Sequence, residues 1–127
     1  MDRSGVGASL SVPPEFGGPG TGTNPEELLA SAIAGCYSIT FGIIAANRKL
    51  PFVGIETHAV GHVEQNGASF TYIGVTVRPT ITLAADATEE HEKMAEDMAH
   101  KADLYCIITN AVREKVKIEI EPTIVRA

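Results

Sequence analysis

The chain has 127 residues, which is enough for one domain and too few for two. Ten Lys and Arg residues oppose sixteen Asp and Glu residues, and the resulting formal net charge of −6 argues against binding to nucleic acid or to an anionic membrane surface. The chain contains two cysteines, too few for a secreted disulfide scaffold.

The amino-terminal part of the chain is predicted to hold little regular structure. Residues 7–12 have the composition of a short strand, but residues 13–22 contain Pro and Gly at a density that breaks any helix or strand. No apolar stretch follows Met1, so we expect no signal peptide and a cytoplasmic location, where thiols are kept reduced.

A long apolar helix is the first strong prediction. Asn24 suits the cap position, Pro25 the first helical position and Glu27 a capping box, and the helix is expected to end near Asn47. Residues 28–46 carry no charge, and by length alone they could cross a membrane. They are rich in small residues, so we predict instead a buried core helix that also lies at a subunit interface.

A hairpin is predicted next. Its strands cover residues 54–64 and 70–83, and Asn66 and Gly67 between them favour a tight turn. Pro79 cannot donate a hydrogen bond to a neighbouring strand, so we expect a kink or bulge at that position.

The last third of the chain begins with an amphipathic helix. It is predicted over residues 86–101, with Asp86 and Glu89 spaced as a capping box. Its apolar stripe consists of His91, Met94, Ala95, Met98 and Ala102. A short helical piece at residues 106–113 and a strand at residues 115–125 follow.

The order of these elements, β-α-β-β-α-α-β, predicts the fold class. It corresponds to an α+β domain with a mostly antiparallel sheet, and residues 1–127 are expected to form one domain. In the last strand Val116, Ile118 and Ile120 are expected to face the core, because charged residues alternate with them.

The two cysteines are the main candidates for chemistry. Cys36 lies 11 residues after Pro25, too deep in the first helix for the amino-terminal dipole to ionise it, so without help it would be an inert thiol. Cys106 lies near the end of the second helix. Two interpretations stay open at this point: two unrelated core cysteines, or a dithiol pair in which one thiol attacks and the other resolves.

Other candidate sites are weaker. The GGPGTG loop precedes a helix, as phosphate loops do, but it lacks the lysine of such loops and is followed by two glutamates. His58 and His62 lie about 13 Å apart on a strand, and His91 and His100 lie on opposite sides of their helix. We therefore expect neither a phosphate site nor a metal site.

Two segments around the cysteines carry a family resemblance. One joins GTNPEELLA at residues 22–30 to AGCY at residues 34–37. The other, CIITNAVR at residues 106–113, is similar to a segment that usually reads Cys-Pro-x-Ser-Asn-Ala and has Ile107 in place of the proline. Together they resemble the OsmC/Ohr family of organic hydroperoxide resistance proteins and osmotically inducible peroxidases. The resemblance implies an OsmC-like α+β fold in an intertwined homodimer.

The resemblance also implies a thiol peroxidase without cofactors. Cys36 would attack the distal oxygen of an organic hydroperoxide and become a sulfenic acid, and Cys106 would condense with it to a disulfide. A dithiol reductant, of lipoyl type in the Ohr branch, would reduce that disulfide. An apolar pocket would favour alkyl or lipid hydroperoxides over hydrogen peroxide. Its candidate lining consists of Phe16, Tyr37, Phe41 and Tyr105, which equally suit the core.

Such chemistry requires an activated thiol, since an ordinary thiol is only ~3% ionised at pH 7. In the family an arginine upstream of the Asn-Pro-Glu-Glu segment does this, held by the first glutamate, which is Glu26 here. Arg3 is the upstream arginine of this chain, and Phe16 stands where some members place theirs. Glu26 and Cys36 lie about 15 Å apart if one regular helix contains both. The alternative cations are Arg48, Arg78 and Arg113.

Two other functions stay open. Without the arginine, the protein could be an OsmC-like binding or stress protein that keeps the fold and the cysteines but not efficient turnover. The uncharged 28–46 segment leaves a small membrane-associated protein as a third interpretation.

Overall fold

A computed structural model describes residues 7–127 of the protein, so Arg3 lies outside the described residues. The predicted α+β class is confirmed, and the order of elements matches the prediction from the first long helix to the short third helix, but no strand precedes that first helix and two strands follow the third. The elements in chain order are α1 (Pro25–Asn47), β1 (Phe52–Asn66), β2 (Ser69–Leu83), α2 (Glu89–Tyr105), α3 (Ile107–Val112), β3 (Lys117–Ile120) and β4 (Thr123–Arg126).

Helix α1 starts where its capping residues predict. The side chain of Asn24 accepts a hydrogen bond from the backbone N–H of Glu27 at 2.9 Å, and the hydroxyl of Thr23 donates to the Glu27 carboxylate at 3.0 Å. The first bond satisfies a backbone donor that has no partner inside the helix, and the second holds the Glu27 side chain against the residue before the cap. The predicted strand at residues 7–12 is wrong, because that segment forms only an isolated bridge between Leu10 and Thr23.

Helix α1 is buried along one face only. Tyr37 and Phe41, one turn apart on that face, are fully buried, and the Tyr37 hydroxyl donates to the carbonyl of Ala99 in α2 at 2.5 Å. By length and composition α1 could also cross a membrane, with a mean hydropathy of 1.9 over its most apolar 18 residues. Its packing on the sheet and on α2 makes it the core helix of this domain, while the opposite face exposes Ile39 and Ile43.

Strands β1 and β2 form the predicted antiparallel hairpin. Gly67 in its turn has a φ of 62°, a conformation that glycine adopts without strain. The bulge predicted at Pro79 is wrong: the register shifts lie near Val53 and Ile73, and Pro79 pairs regularly with Thr57. Pro79 lies where the other edge of β2 changes its partner from β3 to β4, so its missing N–H is tolerated.

The carboxyl-terminal strand is divided in two. The chain leaves the sheet at Glu121 and Pro122, because proline cannot donate to the ladder, and both β3 and β4 pair parallel with β2. Val116 is buried, and Ile118 and Ile120 pack against the core, as their alternation predicts. The sheet is therefore antiparallel along its long hairpin and parallel at its two short strands.

Helix α2 begins three residues later than predicted. Thr88 is the cap: its hydroxyl accepts from the backbone N–H of His91 at 3.3 Å, and Nδ1 of His91 accepts from the backbone N–H of Thr88 at 3.0 Å. The capping box predicted for Asp86 and Glu89 is wrong, because Thr88 lies closer to the first helical turn. The buried stripe of α2 consists of Ala95, Met98, Ala99, Ala102 and Asp103.

Candidate active site

The fold brings the two cysteines together, although 70 residues separate them in sequence. Cys36 lies in the middle of α1 and is partly exposed, whereas Cys106 is fully buried at the corner between α2 and α3. The two side chains lie close enough to influence each other's ionisation: Cys106 helps to lower the pKa of Cys36, and Cys36 helps to raise the pKa of Cys106. Both thiols are free rather than joined in a disulfide.

The surroundings of Cys36 favour its thiolate. Burial by itself would raise the pKa of the Cys36 thiol, but hydrogen bonds from the Cys106 thiol, the backbone N–H groups of Ile108 and Ile107 and the hydroxyl of Thr40 hold the pKa below its ordinary value. The two N–H groups are available because the first N–H groups of a helix, here α3, have no intrahelical partner. Thr40 lies one turn after Cys36 on α1, close enough to reach its sulfur.

The surroundings of Cys106 favour its protonated form. Burial raises the pKa of the Cys106 thiol, hydrogen bonds from Thr109 lower it in part, and donation to Cys36 raises it further. The pair is thus asymmetric, because the pKa of the partly exposed Cys36 is lowered and the pKa of the buried Cys106 is raised. Such an arrangement suits an attacking sulfur and a second sulfur that waits for it.

The arginines between residues 7 and 127 are all engaged with carboxylates. None of the three alternative cations is among the groups that lower the pKa of Cys36, and each guanidinium is paired with a carboxylate. The pairs are Arg48 with Asp97 at 3.2 Å, Arg78 with Glu121 at 2.9 Å, Arg113 with Asp103 at 3.0 Å and Arg126 with Glu92 at 2.6 Å. Arg113 is half-buried at the corner that carries Cys106, which the sequence alone does not indicate.

Glu26 lies apart from the cysteines in this chain. It occupies the first turn of α1, and ten helical residues, about 15 Å, separate it from Cys36. Its oxygen Oε2 is buried without a hydrogen-bond partner among the residues that the structure describes. It lines a separate groove between α1 and β1 together with Ser31 and His58.

An open apolar groove of ≈ 790 Å³ leads to Cys36. Its floor is the exposed face of α1, with Ile39 and Ile43, and its rim is formed by Tyr105 and Ile107. Of the four aromatic residues predicted as a possible pocket lining, only Tyr105 lies in this groove. Tyr37 and Phe41 belong to the core, and the ring of Phe16 lies 4.8 Å from that of Phe70.

Sequence reasoning missed three of the groups that act on Cys36. The contact of Thr40 with Cys36 is predictable from the sequence, since a hydroxyl four residues after a helical cysteine lies on the same helix face. The effect of the N–H groups of Ile107 and Ile108 is not predictable from the sequence, because only the tertiary fold places the start of α3 against the middle of α1. Within residues 7–127 no group of three or more His, Cys, Asp or Glu side chains could hold a metal ion.

Comparisons with known proteins identify the family of the chain. A family model described as OsmC-like protein matches residues 18–121. Among curated relatives, an uncharacterized protein YmaD of Bacillus subtilis is 33% identical over 91% of this chain and 77% of its own length. An organic hydroperoxide resistance protein of Xanthomonas axonopodis pv. citri is 30% identical, over 89% of this chain and 76% of its own.

A solved structure shows the same architecture. The organic hydroperoxide resistance protein OsmC of Legionella pneumophila superimposes with a TM-score of 0.78 and 25% identity, covering 93% of this chain and 82% of that one. The chain therefore belongs to the OsmC-like protein family, as the two cysteine segments predict.

Proposed function

We propose that the protein is a cysteine-based peroxidase that reduces organic hydroperoxides to alcohols. The observation that carries the proposal is the neighbouring pair of free thiols, Cys36 and Cys106, with Cys36 lining an apolar groove. The organic hydroperoxide resistance proteins among the relatives support the substrate class. Alkyl and lipid hydroperoxides gain from burial of their apolar part against Ile39 and Ile43, which hydrogen peroxide cannot do.

The first step uses the thiolate of Cys36. Its sulfur attacks the distal oxygen of the hydroperoxide, the O–O bond breaks, and the alkoxide leaves as an alcohol after taking a proton. Cys36 is oxidised to a sulfenic acid and the hydroperoxide is reduced. The donors around Cys36 hold the negative charge that the attack requires, and the groove orients the apolar substituent.

The second step uses Cys106. Its sulfur attacks the sulfenic sulfur, a Cys36–Cys106 disulfide forms, and water leaves with the thiol proton and the sulfenic hydroxyl. A dithiol reductant of lipoyl type then reduces the disulfide to two thiols and is itself oxidised to a cyclic disulfide. The reaction as proposed needs no cofactor, and its dithiol reductant suits the reducing cytoplasm, where we propose that the protein works.

We propose a homodimer as the working form. The exposed apolar face of α1, together with Leu104, Tyr105 and Ile107 beside it, carries large hydrophobic side chains that a second copy would cover in part, leaving the groove at Cys36 between the two copies for the substrate. In the dimer, Glu26, which lies far from Cys36 within one chain, would hold an activating guanidinium near the cysteine pair. Arg3 stays the prediction for that guanidinium.

The test is consumption of cumene hydroperoxide with dihydrolipoamide as reductant. Wild type is expected to turn over, C36S to lose turnover, and C106S to accumulate a sulfenic acid that dimedone traps. Equal rates in wild type and C36S would remove Cys36 from its role. Absence of a dimedone adduct in C106S would contradict the resolving role of Cys106. Hydrogen peroxide serves as the comparison substrate and is expected to react more slowly.

A second candidate is a binding or stress protein without efficient turnover. It is favoured by the engagement of Arg48, Arg78 and Arg113 with carboxylates, which leaves Cys36 only neutral donors among the described residues. The rate of Cys36 alkylation by iodoacetamide against pH separates the two. A titration at the ordinary thiol pKa would favour the binding protein, and a titration well below it favours the peroxidase.

A further inference from the structure

The corner that carries Cys106 is held by one arginine. Cys106 alone joins α2 to α3, and its extended backbone, with φ −73° and ψ 122°, ends one helix and caps the next. Arg113, directly after α3, reaches back to Asp103 in the last turn of α2. Its Nη1 lies 3.0 Å from Oδ2 and its Nη2 lies 3.2 Å from Oδ1, the two-pronged geometry that makes guanidinium–carboxylate pairs strong.

Arg113 also satisfies the end of α2. The last carbonyls of a helix lack intrahelical partners and carry the negative end of the helix dipole. Nη2 of Arg113 donates to the carbonyl of Asp103 at 2.8 Å, and the Thr109 hydroxyl donates to the same carbonyl at 2.9 Å. The Asn110 amide donates to the carbonyl of Leu104 at 3.0 Å. Asp103 is only 8% exposed, so its carboxylate at this helix end requires a cation.

The same network extends to Cys106 itself. The backbone N–H of Asn110 donates to the Cys106 carbonyl at 3.1 Å, and the Thr109 hydroxyl lies 3.2 Å from that carbonyl. Arg113 donates from Nη2 to Thr109 Oγ1 at 3.3 Å and from Nε to Asn110 Oδ1 at 3.2 Å. Arg113 is therefore tied to both residues that hold the backbone of Cys106.

We propose that Arg113 is a positioning residue of the redox site: through Asp103, Thr109 and Asn110 it holds the corner so that Cys106 and the start of α3 meet the sulfur of Cys36. The inference rests on the proposed function. Without this clamp the corner relaxes and the donors move away from Cys36. Its sulfenic acid then waits longer for Cys106, and a second hydroperoxide oxidises it to a sulfinic acid while being reduced to an alcohol.

The test uses R113Q, R113K and the control R78Q in the full chain. Arg78 forms a comparable ion pair with Glu121 at 2.9 Å, but this pair is exposed and lies on the sheet, away from the cysteines. The rate at which iodoacetamide alkylates Cys36 is followed against pH, with peptide mapping to separate Cys36 from Cys106. A second measurement gives the ratio of disulfide to sulfinic acid after cumene hydroperoxide without reductant.

R113Q is expected to lower the alkylation rate at neutral pH on the order of tenfold, while the limiting rate at high pH is kept, because several donors to the thiolate weaken together. R113K keeps the positive charge but cannot form the two parallel hydrogen bonds of the guanidinium, so a smaller fall in the alkylation rate is expected. R78Q is expected to match wild type. The sulfinic share is expected to rise in the order R78Q, R113K, R113Q. A general loss of stability would not move the midpoint of the pH profile.

Profiles of R113K and R113Q that coincide with that of wild type would overturn the inference. If R113Q does not fold, R113K decides, since its ammonium still neutralises Asp103. Alkylation needs no peroxide, so it is independent of the proposed function. A wild type without peroxidase activity would refute the peroxidase proposal, and the profiles would still decide the role of Arg113.

Discussion

The hydroxyl of Thr40 offers the sharpest test of how Cys36 is activated. Thr40→Val removes one hydrogen bond to the sulfur and keeps the volume and the β-branched shape of the side chain. A hydrogen bond to a charged group contributes about 1.5–3 kcal/mol, and the partial exposure of Cys36 and three further donors place Thr40 at the lower end. The alkylation rate at neutral pH is therefore expected to fall a few-fold and by no more than about tenfold, since about 1.4 kcal/mol corresponds to a factor of ten.

The assay is the iodoacetamide rate of Cys36 across pH, with Ser38→Ala as the matched control. Ser38 lies on the same helix, and its hydroxyl bonds to the carbonyl of Ala34 and to Thr57 rather than to Cys36. It is expected to leave the Cys36 profile unchanged. Thr40→Val with the wild-type rate at neutral pH would refute the reasoning. An equal loss at neutral pH and at the high-pH limit would point to a change in access instead of a less stable thiolate.

Three further predictions concern the pH dependence and stability of the fold. Folding lowers the pKa of Cys36, so its thiolate contributes to the free energy of unfolding. This contribution is fully present above the thiol pKa of the unfolded chain and is lost as the pH falls through the thiol pKa of the folded chain. Chemical denaturation of wild type and C36A at pH values on both sides of these two pKa values measures the contribution. Tyr37→Phe removes the buried bond to Ala99 and is expected to lower the free energy of unfolding by about 1 kcal/mol, whereas Tyr105→Phe, 67% exposed, should change it little; equal losses would contradict this. Thr88→Ala removes the cap of α2 and is expected to cost about 1 kcal/mol in the same measurement, and an unchanged denaturation midpoint would contradict the capping assignment.

Local signals in the sequence were sufficient for the elements that depend on local chemistry. The start of α1 follows from Asn24 and Pro25, and the hairpin turn follows from Gly67, because caps and turns are determined by a few adjacent residues. The start of α2 was misplaced because Asp86 and Thr88 both suit a cap, and the choice depends on where the preceding loop leaves the sheet. Spacing alone does not decide between them.

The contacts around the two cysteines depend on tertiary structure and cannot be predicted from the local sequence pattern. Arg113 reads as a surface charge in the sequence, and its role appears only when α3 folds back on the end of α2. The parallel pairing of β3 and β4 with β2 likewise depends on where α3 returns the chain. The cysteine pair could be predicted only from the resemblance, since 70 residues separate the two thiols and no spacing rule joins them.

The arrangement around Cys36 bears on what a guanidinium would add. The thiol of Cys106, the Thr40 hydroxyl and the N–H groups of α3 already lower the pKa of Cys36 within one chain. A cation held by Glu26 would act on a sulfur whose pKa is already lowered, so its effect would add to that of the neutral donors. Electrostatic attraction from an exposed cation is screened by salt, whereas short hydrogen bonds are not. The share of Cys36 reactivity that survives high ionic strength therefore measures what the neutral donors supply.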